Sequence, residues 1–258
     1  MKTALITGAS GGIGLELAKI FAKNKIDTIL VARDEIKLVS LAEELKQQGI
    51  SARVLPKDLS NYHTAKEAFD FCEQNNIRVD YLINNAGFGD FGFFAESDWK
   101  KQEQMINLNI TALTYLTRLF LPGMVERKSG KIMNVASTAA FQPGPTMSVY
   151  YATKAYVLHF SEAISNELEG TGVTVTALCP GATQSGFQKA AAMEESKLVK
   201  GKKLPTSKEV AEYGYKAMMT GKAVAIHGLK GKLLVFGARF SPRFLVLKIA
   251  RYLQDKAH

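Results

Sequence analysis

Apolar positions along the chain follow two alternating patterns. Short runs at 3–7, 27–32, 52–56, 81–84, 131–135, 173–179 and 223–226 are apolar at most positions. Strands covered on both faces of a parallel sheet have this character. Between them the period lengthens to that of a helix. Ile13, Leu17, Ile20 and Phe21 recur at i, i+4, i+7 and i+8, one side of a helix. Residues 35–48, 64–74, 99–126 and 150–168 also read as helical, and Thr206 with Glu209 forms the capping pair of another helix reaching about Thr220. This alternation predicts an α/β fold, a doubly wound parallel sheet with helices on both faces.

Composition narrows the class without changing the fold. With 258 residues, 47% hydrophobic and 22% charged, the chain can bury a large core and is not a disordered protein. Cys72 and Cys179 cannot build a disulfide framework, and the four histidines are too scattered for a metal centre. No apolar run approaches the ~20 residues of a membrane span, and the N-terminus lacks the pattern of a signal peptide. The expected location is cytoplasmic.

Charge is unevenly placed. Residues 1–196 carry 19 Lys/Arg and 21 Asp/Glu, a net of −2, whereas residues 197–258 carry 14 and 3, a net of +11. The basic excess is a property of the last quarter of the chain.

The first strand runs into Thr7-Gly8-Ala9-Ser10-Gly11-Gly12-Ile13-Gly14, and a helix follows. Glycines let the backbone turn sharply and approach a ligand closely. A helix start offers unpaired N–H groups and the positive end of its dipole, which suits a pyrophosphate. The second strand ends at Arg33, nineteen residues after Gly14. An acid here would bind a ribose 2′-hydroxyl, whereas an arginine accommodates a 2′-phosphate. Arg33 therefore favours NADP(H) over NAD(H), with Asp34 and Glu35 as possible competitors.

Tyr and Lys four apart share one helix face, but three such pairs occur: Tyr62/Lys66, Tyr150/Lys154 and Tyr252/Lys256. Tyr150 alone has a serine thirteen residues before it, Ser137, just past a strand. Ligands of such sheets gather at the carboxyl ends of strands.

On these residues the chain resembles the short-chain dehydrogenase/reductase family, in its compact, single-domain, Rossmann-like branch, over about residues 1–190. Thr7, Gly8, Gly12 and Gly14 match the family's cofactor loop, which Ser10 and Ile13 complete. Asp58 and Leu59 match the segment that contacts adenine. Asn84, Asn85, Ala86 and Gly87 match the sheet-stabilising stretch, and Pro180, Gly181, Ala182 and Thr183 the turn that holds the nicotinamide. Asn109, Ser137, Tyr150 and Lys154 match the catalytic residues. Asn107 competes with Asn109, which the downstream Leu121-Pro122 favours. Gly11 stands where some NADP-using relatives carry a basic residue, which leaves Arg33 as the main support for a phosphate.

The resemblance implies an NAD(P)-dependent oxidoreductase that moves hydride between the nicotinamide and a carbonyl or alcohol. Tyr150 would be the acid–base group. A free tyrosine titrates near ~10 and needs Lys154 and the oxidised nicotinamide to bring it toward neutrality. Ser137 would hold the substrate oxygen, Lys154 the nicotinamide ribose, and Asn109 a water linking Lys154 to solvent. Relatives are often homo-oligomers. Phe88, Phe91, Phe93, Phe94, Phe141, Met147, Phe187 and Met193 are candidates for an apolar substrate pocket. Residues 184–200 take the place of a mobile lid, with a short helix at 190–195.

Residues 1–228 form the expected dinucleotide-binding domain and 229–258 a basic amphipathic extension. Its helix, 244–254, sets Lys248, Arg251 and Asp255 on one face and Leu245, Ile249 and Leu253 opposite. Such a helix suits an anionic membrane surface, or packing on the domain or a second subunit; a nucleic-acid role ranks behind. The alternatives to an enzyme are a dinucleotide-sensing protein and a membrane-surface protein on the same fold.

Overall fold

The computed structural model describes residues 1–258 except 62, 194, 195, 198 and 255–258, and it leaves the side chain of residue 189 undescribed. Seven strands form one parallel sheet: β1 (Thr3–Thr7), β2 (Asp27–Ala32), β3 (Ala52–Pro56), β4 (Tyr81–Asn84), β5 (Gly130–Val135), β6 (Val173–Cys179) and β7 (Val224–Ile226). Their order is β3-β2-β1-β4-β5-β6-β7. Every pairing is parallel, with Leu5 of β1 opposite Ile29 on one side and Leu82 on the other. From β1 the chain winds outward to β3, then returns to place β4 on β1's other side. At this reversal the chain leaves the carboxyl ends of β1 and β4 in opposite directions, which opens a crevice.

Side chains alternate across the sheet. Ala4, Ile6 and Leu30 face the layer of α1 (Gly12–Lys23), α2 (Glu35–Lys46) and the later helix Ser207–Met219. Leu5, Ile29 and Leu82 face the layer containing α3 (His63–Gln74) and the helix Leu113–Glu126. Both faces are therefore dry, which explains why the strands carry little polar alternation.

The long helical stretch after β4 is composite. It comprises α4 (Trp99–Ile106), a π-helical turn over Asn107–Ala112, and α5 (Leu113–Glu126). Beyond β5 come a 3-10 turn (Thr138–Phe141) and α6 (Ser148–Glu167). After β6 lie α7 (Phe187–Ala190) and α8 (Ser207–Met219), the latter closed by the expected capping box of Thr206 and Glu209. Two helices follow β7: α9 (Leu229–Phe240) and α10 (Arg243–Gln254).

Three expectations change. The lid helix is α7, not 190–195: the Ser185 hydroxyl accepts from Phe187 N at 3.2 Å to start it, and Ala192 at φ 53° ends it. Residues 194 and 195 lie outside the described residues. The extension holds a second helix, α9, directly after Gly228. On α10 the buried stripe is Val246, Ala250 and Gln254, while Leu245 and Ile249 face outward. The Thr146 hydroxyl donates to Gln254 Oε1 at 3.0 Å, and this bond sets the helix's rotation. Asp255 lies outside the described residues.

Candidate active site

A cleft of about 1550 Å³ runs along the carboxyl ends of the strands. Single-ligand pockets are typically ~300–1,000 Å³, so this one can hold a dinucleotide and a second molecule together. Every cofactor residue expected from the sequence lines it except Thr7 and Gly14.

Those two brace the loop from behind. The Thr7 hydroxyl donates to Ile83 O at 3.2 Å and accepts from the N–H groups of Asn85 and Ala86, each at 2.9 Å. Asn85 Nδ2 returns a bond to Thr7 O at 2.9 Å. A Cβ on Gly14 would fall on Asn85 Nδ2 and the Gly8 carbonyl. Gly8 has φ 67°, and its Cβ would lie 2.7 Å from Asn85 Nδ2. Glycine is thus required for close approach at both positions and for backbone conformation at Gly8.

The loop is chemically suited to a pyrophosphate. Helix α1 starts at Gly12 with no side-chain cap on Gly11 and no acid in its first turn. Helices α6 and α9 also start without either, while α8 is capped by Thr206 and α2 by Asp34, which accepts from Lys37 N at 3.1 Å. Of the three uncapped starts, only that of α1 follows a glycine-rich turn. The uncapped start lies in the cleft wall, where its N–H groups and dipole suit an anion.

At the β2 end, Arg33 is exposed on the cleft wall and makes no ion pair among the described residues. Asp34, the nearby competitor, is committed to capping α2 and to an ion pair with Lys37 at 2.7 Å. That hydrogen bonding holds its carboxyl below the usual value. Lys37 and Lys57 also line this end. Sequence reasoning missed both, although Lys37 is one helical turn from Arg33 and Lys57 precedes Asp58.

Ser137, Tyr150 and Lys154 meet in the cleft wall. Ser137 follows β5 and caps the 3-10 turn, accepting from Ala139 N at 3.1 Å. Tyr150 and Lys154 lie one turn apart on α6, with Lys154 Nζ 5.8 Å from the centre of the Tyr150 ring. Lys154 is buried and donates to Val135 O at 2.7 Å. Burial pulls its amine down to about 8. Burial also pushes the Tyr150 phenol above its usual value, partly offset by a hydrogen bond with Ser137. Burial in the protein itself therefore favours a neutral phenol, and it is against this that Lys154 and the oxidised nicotinamide would act together.

Asn109 sits behind this pair. Its amide donates to Phe88 O and to Thr153 Oγ1, each at 3.0 Å, and its carbonyl accepts from Phe88 N at 3.2 Å. A Cβ on Gly87 would lie 2.9 Å from Asn109 Oδ1 and 3.5 Å from Lys154 Nζ. The competing Asn107 is only half-buried at the start of the same π-turn. A widened turn re-aims a helical side chain, and such turns recur at functional sites.

Of the other Tyr–Lys pairs, Tyr62 and Lys256 lie outside the described residues. Lys66 is held by Asp70 at 2.7 Å, and the exposed Tyr252 ring lies under Lys197 at 4.1 Å.

The apolar candidates separate into three groups. Phe88, Met147, Phe187 and Met193 line the cleft, and Phe91 packs against the buried cluster that includes Met147 and Met193. Phe141 instead joins the cluster around Val157 and Cys179, and Phe93 and Phe94 are exposed. Gly89, which sequence reasoning passed over, has no room for a side chain: its Cβ would be 2.8 Å from Phe187 and 3.2 Å from Tyr150. Gln142, also missed, lines the cleft and hydrogen-bonds Tyr151.

Comparison with known proteins agrees with this arrangement. A short chain dehydrogenase of Pseudocercospora fijiensis is 38% identical over 190 residues, covering 71% of this chain and 60% of that protein. The ketoacyl reductase HetN of a Nostoc species is 36% identical over 187 residues, covering 72% and 65%. The chain thus spans less than two thirds of the length of these relatives. Among solved structures, a short-chain dehydrogenase from Sphingobium yanoikuyae in complex with NADPH superposes with a TM-score of 0.81 at 32% identity, covering 93% of this chain and 94% of that one. The family described as short chain dehydrogenase matches residues 2–196, and it is to this family that the chain belongs.

Proposed function

We propose that the protein is an NADP(H)-dependent oxidoreductase that reduces the carbonyl group of a hydrophobic substrate, or oxidises the corresponding alcohol. The observation that carries this reading is the meeting of Ser137, Tyr150 and Lys154 in one cleft with an uncapped glycine loop. The NADPH bound by the Sphingobium relative and the unpaired Arg33 support the phosphate-bearing cofactor.

When bound, the nicotinamide supplies the hydride that goes to the carbonyl carbon. The chain does the rest. Its glycine loop and the α1 N-terminus bind the pyrophosphate, and Arg33 binds the 2′-phosphate through its planar fork. Ser137 hydrogen-bonds the substrate oxygen and fixes its orientation. Tyr150 gives its hydroxyl proton to that oxygen as the alcohol forms. A phenol held neutral by burial is in the correct state to donate. Lys154 then steadies the phenolate left behind. Phe88, Met147, Phe187 and Met193 exclude water and favour an apolar substituent.

A thermal-shift titration with NADPH and with NADH, followed by a screen of apolar ketones and aldehydes for NADPH oxidation, tests the reading. Preferential stabilisation by NADPH is expected. Arg33→Ala should reduce it by about tenfold in affinity, leaving NADH unchanged. Equal weakening of both cofactors removes the phosphate role, and no response to either from folded protein removes the enzyme reading.

A further inference from the structure

Helix α9 presents its apolar stripe to solvent. Leu229, Leu233, Phe236 and Phe240 recur at i, i+4, i+7 and i+11, and each is 62–73% exposed. The opposite side, Gly231, Leu234, Val235 and Ala238, is half-buried, and no residue of the helix is fully buried. Helix α10 repeats the arrangement: Val246 and Ala250 face the domain while Leu245, Ile249 and Tyr252 are exposed. Arg251 extends this apolar ground to Phe93, lying 5.0 Å over its ring. Singly exposed apolar residues are ordinary, but an ordered outward stripe on each of two consecutive helices marks a contact face.

Charge identifies the occupant. Between 227 and 254 there are six Lys/Arg and no Asp/Glu. Lys230, Lys232 and Arg239 flank the α9 stripe at helical positions on either side of it. Long basic side chains beside an apolar stripe can lay their stems on the nonpolar layer and leave their charges at the headgroups. A second copy would fit poorly. In a two-fold contact each patch meets itself, which would set Lys230, Lys232 and Arg239 against their own copies.

We propose that the outward faces of α9 and α10 dock the protein on an anionic lipid surface, with Leu233 and Phe236 entering the interface and Lys230, Lys232 and Arg239 meeting the headgroups. Among the described residues no helix is long and apolar enough to cross a membrane, so the attachment is peripheral. Leu229, Lys230, Gly231 and Leu234 at the start of α9 also line the rim of the cleft, and docking brings this wall of the cleft to the lipid. The docking stands independently of the reaction in the cleft.

Co-sedimentation of the full-length protein tests this, using phosphatidylcholine vesicles with and without phosphatidylglycerol. Binding is expected only to the anionic vesicles and should fall as salt is raised. The double variant Lys230→Gln/Lys232→Gln should bind about thirtyfold more weakly, at ~1 kcal/mol per surface-proximal charge. Leu233→Ser with Phe236→Ser should weaken binding by roughly a hundredfold or more. All four positions are exposed, and an unchanged melting temperature verifies that each variant folds. Equal binding to both vesicle types overturns the proposal, as does absence of binding. A dimer in light scattering that Leu233→Ser/Phe236→Ser dissociates, without vesicle binding, assigns the face to a second copy instead.

Discussion

The floor of the cleft and its C-terminal wall are built on opposite plans. On the floor, polar groups are buried and cross-braced: Asn84 Nδ2 donates to Thr117 Oγ1 at 3.0 Å and to Asn134 Oδ1 at 2.9 Å, and Asn134 donates to Ser161 at 2.9 Å. At Gly8 and Gly14 a methyl group would fall on Asn85 and, at Gly14, on the backbone of Gly8. In the wall, α9 buries no residue fully and turns its largest side chains outward. The floor fixes reacting groups within fractions of an ångström, which proton transfer demands. The wall, with little buried area, is suited to contact another surface. It is also where local opening should be least costly.

The floor's contribution to chemistry is broken most sharply by Tyr150→Phe. The ring and its packing remain while the hydroxyl is lost, so turnover should fall by about a thousandfold with little change in melting temperature or cofactor binding. Steady-state NADPH oxidation beside a thermal-shift titration measures both. Turnover like that of the wild type would remove Tyr150 from the proton transfer.

Lys154 reports how far the floor is sealed from water. Burial lowers its amine from 10.5 to about 8. Below about 8 both folded and unfolded chains hold the proton, and the buried charge costs stability. From about 8 to 10.5 the unfolded chain alone holds it, so stability rises with pH across this window. The wild type should gain roughly 3 kcal/mol on Lys154→Met between pH 7 and 10.5. Taking the difference of two denaturation series cancels other titrations and the pH-independent loss of the bond to Val135. A flat difference would mean that water reaches the amine.

Much of the floor was legible in the sequence, and the wall was not. Strands buried on both faces leave an unmistakable apolar run; Gly8 and Ser137 sit just past strands, and Tyr150 lies thirteen residues after Ser137 on the helix that follows. Other parts left no comparable trace. Whether Asn107 or Asn109 turns inward depends on one widened helical turn. The need for Gly89 comes from Phe187 and Tyr150, residues far away in the chain. On α10 the periodicity marks Leu245, Ile249 and Leu253 as one apolar stripe. The burial of Gln254 by its bond to Thr146 turns Leu245 and Ile249 outward. Amphipathic spacing identifies a face, and tertiary contacts choose where it points.

A glycine in each region sharpens the contrast further. Gly14→Ala pushes a methyl group into the Gly8 carbonyl and into Asn85, whose amide is bonded to Thr7 O and to that carbonyl. It should destabilise the fold by about 2 kcal/mol, with a larger loss of cofactor affinity as the loop shifts. Chemical denaturation with and without NADPH separates the two effects.

Gly237 in α9 should respond with the reverse sign. Nothing lies within 4 Å of its would-be Cβ, and its φ is not positive. An alanine there meets no neighbour, reduces the freedom of the unfolded chain and favours the helix. Gly237→Ala should therefore stabilise α9 by about 0.5–1 kcal/mol. The gain need not appear in global unfolding if α9 opens separately from the sheet. Hydrogen exchange resolves this. Slower exchange confined to 229–240, with unchanged exchange in β4 and β5, would mean that wall and floor open independently. A matching slowdown in both would mean that they unfold as one unit and that the wall, despite its exposure, is rigidly joined to the site.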